Sequence, residues 1–190
     1  MDIAQQLMEW DVEGASWDVI LGGGKEEFVS EKRDLLTPWK TRTGGACVET
    51  TAELKAATSL PLLGLFSESH MDFEVDRDTT PKGQPSIAKM TEKAVGLLAD
   101  KFPNGLFLMV EGGRIDHAHH GTSWYRALGD TIALDKAVQT TQDMTSSEDT
   151  LLVVTADHGH TNGGLRHAAI RFWARALGMT RTGALSLSLS

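Results

Sequence analysis

Two apolar runs break off abruptly into stretches dense in carboxylate and imidazole. Residues 106–110, Leu-Phe-Leu-Met-Val, lead directly into Glu111-Gly-Gly-Arg-Ile-Asp116-His117-Ala-His119-His120. Residues 151–154, Leu-Leu-Val-Val, lead into Thr155-Ala-Asp157-His158-Gly-His160. An unbroken apolar run of this length, bounded by polar residues, is the pattern of a strand buried on both faces. Two further strand candidates are residues 17–21, closed by Gly22-Gly23-Gly24, and residues 60–66, bounded by polar residues. Helical patterns lie among them. Ile87, Met90, Ala94, Leu97 and Leu98 repeat at helical spacing in 86–101, and Tyr125, Leu128, Ile132, Leu134, Ala137 and Val138 define a broad face in 123–142. Buried strands alternating with helices predict an α/β fold: a parallel sheet flanked by helices on both faces. Open sheets of that kind bind ligands at the carboxyl ends of their strands. Both polar clusters are expected there.

The chain has 190 residues, 41% of them hydrophobic, enough for one domain with its own core. A formal net charge of −8 argues against nucleic acid or an anionic membrane as partner. The single cysteine, Cys47, excludes an intrachain disulfide and reads as a small packed residue. No apolar run is long enough for a spanning helix, and the opening residues do not form a signal peptide. Residues 67–85 carry Asp72, Glu74, Asp76 and Asp78 with two prolines, Pro81 and Pro85, and read as a long surface loop. Gly22-Gly23-Gly24-Lys25 fails as a phosphate loop, since Val19 and Glu26 occupy the positions where that motif needs glycine and serine or threonine.

The two clusters suit zinc, which takes neutral imidazole nitrogen and carboxylate oxygen. Asp116 and His120 stand four residues apart, so one turn of helix presents both on one face to a single ion. Asp157 and His158 are adjacent and reach a common ion from a turn. Glu111 is a hard oxygen donor better matched to magnesium. His117, His119 and His160 are too many to ligate together, so some orient the others by hydrogen bonds.

Glu-Gly-Gly-Arg-Ile-Asp-His-x-His-His followed downstream by Thr-Ala-Asp-His-x-His resembles the animal-type alkaline phosphatases. Asp18-Val-Ile-Leu-Gly-Gly-Gly24, Gly64-Leu-Phe66, Tyr125-Arg-Ala-Leu128 and Glu148-Asp-Thr-Leu151 support the resemblance, which spans about residues 2–164. It implies an alkaline-phosphatase-like α/β sheet, incomplete here, and a two-zinc plus magnesium site hydrolysing phosphate monoesters. Asp116 and His120 would bind the first zinc, Asp157 and His158 the second, and Glu111 the magnesium, with His160 hydrogen-bonded just outside. It further implies an extracellular or cell-surface, lipid-anchored protein, usually a homodimer.

The departures bear on activity. The family's nucleophile lies in Asp-Ser-Ala, which does not occur in this chain. Neither does the Gly-Asp-Gly that follows the bridging aspartate. The first zinc's remaining histidine belongs to a region toward the family's C-terminus. The resemblance therefore divides the chain into a partial phosphatase domain, 1–164, and a divergent tail, 165–190. One codon choice for residues 166–173, read in another frame, spells Ala-Arg-Gly-Asn-Pro-Ile-Leu-Gly, the family's continuation, so a shifted frame is one origin for the tail. Alone, the chain is expected to be inactive. Two alternatives are another metallohydrolase of the superfamily, a phosphodiesterase or sulfatase, and a non-catalytic zinc-binding fragment.

Overall fold

In a computed structural model the described residues are 2–9, 17–160 and 184–189, the last as backbone strand. The altered-frame reading of 166–173 lies outside them. The chain divides into two compact units, Met1–Asp72 with Asp78–Pro85, and Phe73–Arg77 with Ser86–Ser190.

The first unit runs α1 (Ile3–Glu9), β1 (Val19–Gly22), α2 (Lys25–Phe28), β2 (Val29–Ser30), β3 (Arg33–Asp34), α3 (Leu36–Thr43), β4 (Ala46–Val48), α4 (Thr51–Ala56) and β5 (Leu62–Leu65). β5 is central in a parallel sheet of order β1-β5-β4, in which Leu62 pairs with Val19 on one side and Ala46 on the other. β2 and β3 form a separate antiparallel ribbon. Every residue of β5 is buried, as its unbroken apolar run predicts. Leu63 and Leu65 pack with Met8, Phe28 and Trp39. Gly64 is required by packing, because a Cβ there would collide with the Phe66 ring and the Leu21 side chain. Gly24 has φ +80°, a conformation glycine adopts without strain, and its N–H donates to the Ser69 carbonyl. The glycine run is thus a turn under the long loop.

The second unit contains α5 (Ile87–Lys101), β6 (Phe107–Glu111), α6 (Arg114–His120), α7 (Trp124–Met144), β7 (Leu151–Ala156) and β8 (Ala184–Leu189). Its sheet is parallel throughout, of order β6-β8-β7, with Ala184 paired to both Phe107 and Leu151. Ser86 caps α5 by accepting the Lys89 N–H on its hydroxyl. Ile115 and Leu134 form a buried centre, against which Ile87, Val110, Val138, Leu152 and Val154 pack.

Two expectations need correction here. β6 and β7 are not buried on both sides: Phe107 is 65% and Met109 58% exposed, while Leu108, Val110, Leu152 and Val154 are partly covered. An apolar run states what a strand can bury and not what is present to cover it. Of the face expected on α7, Leu134 and Ala137 are buried but Tyr125, Leu128 and Ile132 are exposed; Ala127, Ala133 and Thr141 are buried in addition. Apart from Leu134, the buried residues of α7 are small, Ala127, Ala133, Ala137 and Thr141, while Tyr125, Leu128 and Ile132 point away.

Candidate metal centre

α6 is positioned by what it buries. Ile115 and Ala118, three residues apart, are both buried, and this turns Asp116 and His120 together to the opposite side. They meet the segment beyond β7, so the carboxyl ends of two parallel strands supply one cluster. His120 Nε2 lies 3.4 Å from Asp116 Oδ2. His160 Nε2 lies 3.5 Å from Asp116 Oδ1, and His158 Nε2 lies 3.9 Å from the same oxygen. One donor atom from each of Asp116, His120 and His160 can be chosen so that all three lie within 4.8 Å of one another.

Asp116 Oδ1 is buried and has no hydrogen-bond partner. A buried carboxylate oxygen left so is costly, and the facing imidazole nitrogens stand beyond the usual N–H···O range of 2.7–3.2 Å. Donor atoms held about 2.0–2.1 Å from a tetrahedral zinc lie about 3.3 Å from one another. The separations around Asp116 match coordination better than hydrogen bonding, and the donor set of one carboxylate with imidazoles is one zinc accepts.

The remaining residues divide. Asp157 Oδ2 is 3.6 Å from the Nε2 of the adjacent His158. Glu111 ends β6 and is exposed; it is not among the residues gathered around Asp116. His117 is held by Arg114, whose guanidinium stands 3.0 Å from Nδ1. Arginine only donates, so His117 Nδ1 accepts and carries no proton. His119 stacks on the His160 ring, with centroids 5.0 Å apart and planes within 12°.

One supporting element escaped the sequence reading. Residues 73–77, expected as part of a surface loop, are fastened to the unit that carries the cluster. The Arg114 guanidinium lies 3.7 Å from the centre of the Phe73 ring, and Arg126 approaches the same ring at 4.8 Å. Arg126 also pairs with Asp76 at 2.8 Å. Asp130 accepts the Glu74 backbone N–H at 3.2 Å. Burial is the main force raising the Asp130 carboxyl to about 6, reinforced by the nearby charges of Glu74 and Asp76. Phe73 between two arginines was a findable signal, but only once Arg114 and Arg126 were known to face the same way.

Comparison with known proteins agrees with this architecture. The family model for alkaline phosphatase matches residues 1–186. A membrane-bound alkaline phosphatase of Bombyx mori is 35% identical over 181 residues, covering 84% of this chain and 32% of the relative. The tissue-nonspecific alkaline phosphatase of Gallus gallus is 37% identical over 193 residues, covering 86% and 36%. The crystal structure of the Thermus thermophilus alkaline phosphatase superposes with a TM-score of 0.64 at 33% identity, over 73% of this chain and 29% of that one. The chain belongs to the alkaline phosphatase family. It spans about a third of the length of the curated relatives it matches.

Proposed function

We propose that this chain carries part of the metal centre of a phosphate-monoester hydrolase, with Asp116 and His120 at a first zinc, Asp157 and His158 at a second, and Glu111 toward magnesium. The observation that carries the reading is the buried Asp116 Oδ1 without a hydrogen-bond partner, on a carboxylate whose other oxygen lies 3.4 Å from His120 Nε2. Family membership supports the substrate class. Bound there, the two ions would supply a clamp on the attacking and leaving oxygens of an in-line phosphoryl displacement. The chain's own contribution is to hold those donors: Ile115 and Ala118 fix α6 against the core, and the parallel strands bring the two ligand pairs to one sheet end.

Asp-Ser-Ala is absent from these 190 residues, so the chain by itself is proposed to bind metal without turnover. Groups that act as a unit lose most of their rate together when one is missing. A lipid-anchored, dimeric, cell-surface setting is part of the same proposal, and the relative named as membrane-bound supports its membrane association alone. Among the described residues no helix is long and apolar enough to cross a membrane. The partition into a partial phosphatase domain, 1–164, and a divergent tail, 165–190, is likewise proposed; sequencing the coding DNA through residues 166–173 tests the shifted frame.

Equilibrium dialysis against zinc tests the metal reading. The wild-type chain should retain zinc and Asp116→Asn should lose at least one equivalent; equal retention would overturn it. The zinc- and magnesium-loaded chain, offered a monoester, a diester and a sulfate ester, should turn over none. Cleavage of the diester or sulfate alone would favour the related hydrolases.

A further inference from the structure

We propose that α6 has two alternative endings one residue apart, and that a metal ion on Asp116 and His120 selects the longer one, in which Thr122 is held in a left-handed conformation. The inference rests on the zinc reading above, keeps its ligand assignments, and adds a means by which the chain sets its affinity for the ion.

The end of α6 is strained at one residue. Among the described residues, Thr122 is the only one other than glycine with a positive φ, +53°. Gly24, Gly44 and Gly105 hold the other positive φ angles, and Gly44 ends α3 in this way at +68°. A β-branched residue resists the left-handed region, because its Cβ crowds the following carbonyl. The helix closes on Thr122 nonetheless. The Gly121 N–H donates to the His117 carbonyl at 3.0 Å, the Thr122 N–H to that of His119 at 2.9 Å, and the Ser123 N–H to that of Ala118 at 2.8 Å. The last two are the paired bonds of a Schellman ending, whose left-handed position usually belongs to glycine. A glycine stands one residue earlier and does not take that position. Gly121 has φ −79°, which any residue adopts. A Cβ added there would meet the His117 and Ala118 carbonyl oxygens at ordinary contact distances of 3.5 and 3.7 Å. The observed ending thus puts the strain on threonine and leaves the freedom of glycine unused. Shifted back by one residue, the same motif would place Gly121 in the left-handed position and relieve Thr122. His120 would then become the half-helical end residue. In the observed ending His120 is the last residue of α6, with Nε2 3.4 Å from Asp116 Oδ2. An ion that needs both side chains binds the longer ending better, and a ligand shifts a two-state equilibrium by its differential affinity.

Zinc affinity, measured by chelator competition on the whole chain, tests this. Thr122→Gly removes the strain from the longer ending, and Gly121→Ala removes the glycine on which the shorter one relies. Each should tighten zinc binding. The left-handed penalty corresponds to roughly five- to thirtyfold in such an equilibrium, and that factor bounds the gain. Thr122→Val keeps the branched Cβ without the hydroxyl and should bind as wild type does. Hydrogen exchange supplies a second readout. The Ser123 N–H is bonded in the longer ending and released in the shorter one. Its exchange in wild type should slow when zinc is added, and in both tighter variants it should be slow beforehand, with α7 amides as the reference for global unfolding. A wild-type chain that binds zinc while Thr122→Gly and Gly121→Ala only match its affinity overturns the inference and leaves the zinc reading standing. Tighter binding by Thr122→Gly alone means strain without a second ending and overturns it as well. So does a gain in Thr122→Val equal to that of glycine, which would assign the effect to the hydroxyl. A wild-type chain that does not bind zinc overturns both readings.

Discussion

Asp116 and Asp130 belong to the same unit and carry opposite problems. Asp116 presents a buried oxygen without a partner, a cost that makes sense where a cation is to be received. Asp130 has a donor, the Glu74 N–H, yet burial holds its carboxyl up to about 6. The folded state therefore keeps the Asp130 proton to higher pH than the unfolded chain, where an aspartate titrates near 3.8. Between those values the unfolded state binds fewer protons, so this residue's contribution to stability falls as pH rises from about 4 to about 6. Asp130→Asn retains an oxygen to accept the Glu74 N–H and removes the titration. Urea denaturation at pH 4, 5 and 6 should show wild type losing stability relative to Asp130→Asn across that window; parallel curves would contradict the assignment. Cys47 offers no comparable chemistry, since burial pushes its thiol up and keeps it protonated. The sequence made Asp116 and His120 legible as a pair because helical spacing alone brings them together. The approach of His160 to Asp116 was not legible in the spacing, because nothing in Asp-His-x-His says which imidazole turns back toward α6.

At the scale of elements, the short α6 depends on neighbours on both sides. Its inner face is Ile115 and Ala118; its entry is braced by Phe73 under Arg114. Phe73→Leu should destabilise the second unit by about 1 kcal/mol, the scale of a partly exposed cation–π contact, while Phe73→Tyr should not; thermal unfolding measures both. The strap also crosses α7 closely at one point. A Cβ at Gly129 would press into Val75 Cγ1. Gly129→Ala should therefore lower the melting temperature despite the roughly 1 kcal/mol that alanine gains over glycine in a helix, and adding Val75→Ala should restore it. Failure of the second substitution to rescue would place the cost elsewhere. The apolar runs at 60–66, 106–110 and 151–155 located β5, β6 and β7 to within two residues because long apolar blocks have few alternatives. β4, only Ala46–Val48, is too short to carry a periodic signal. β8 is Leu and Ser in alternation, and its place between β6 and β7 is a long-range pairing that no local pattern encodes.

For the whole molecule, the exposed apolar surface is the dominant fact. Phe107 and Met109 stand out from β6, and Tyr125, Leu128 and Ile132 from α7. Exposed apolar residues grouped in this way mark surfaces that bind something or aggregate. The chain should raise the fluorescence of an apolar dye and associate as its concentration increases. Leu128→Lys with Ile132→Lys should reduce both effects without altering the far-UV spectrum; dye binding unchanged by the pair would mean the surface responsible is elsewhere.

The placement of β8 has a temporal consequence. It follows β6 and β7 in sequence yet is the middle strand of their sheet, paired with β6 on one side and β7 on the other. During synthesis, the strands that lead to Asp116 and to His158 emerge long before the strand that joins them. Until residues 184–189 leave the ribosome, β6 and β7 have no shared backbone ladder to align the residues that follow them. A chain truncated before Ala184 would carry Asp116, His120, Asp157, His158 and His160 and lack the strand that pairs with both β6 and β7.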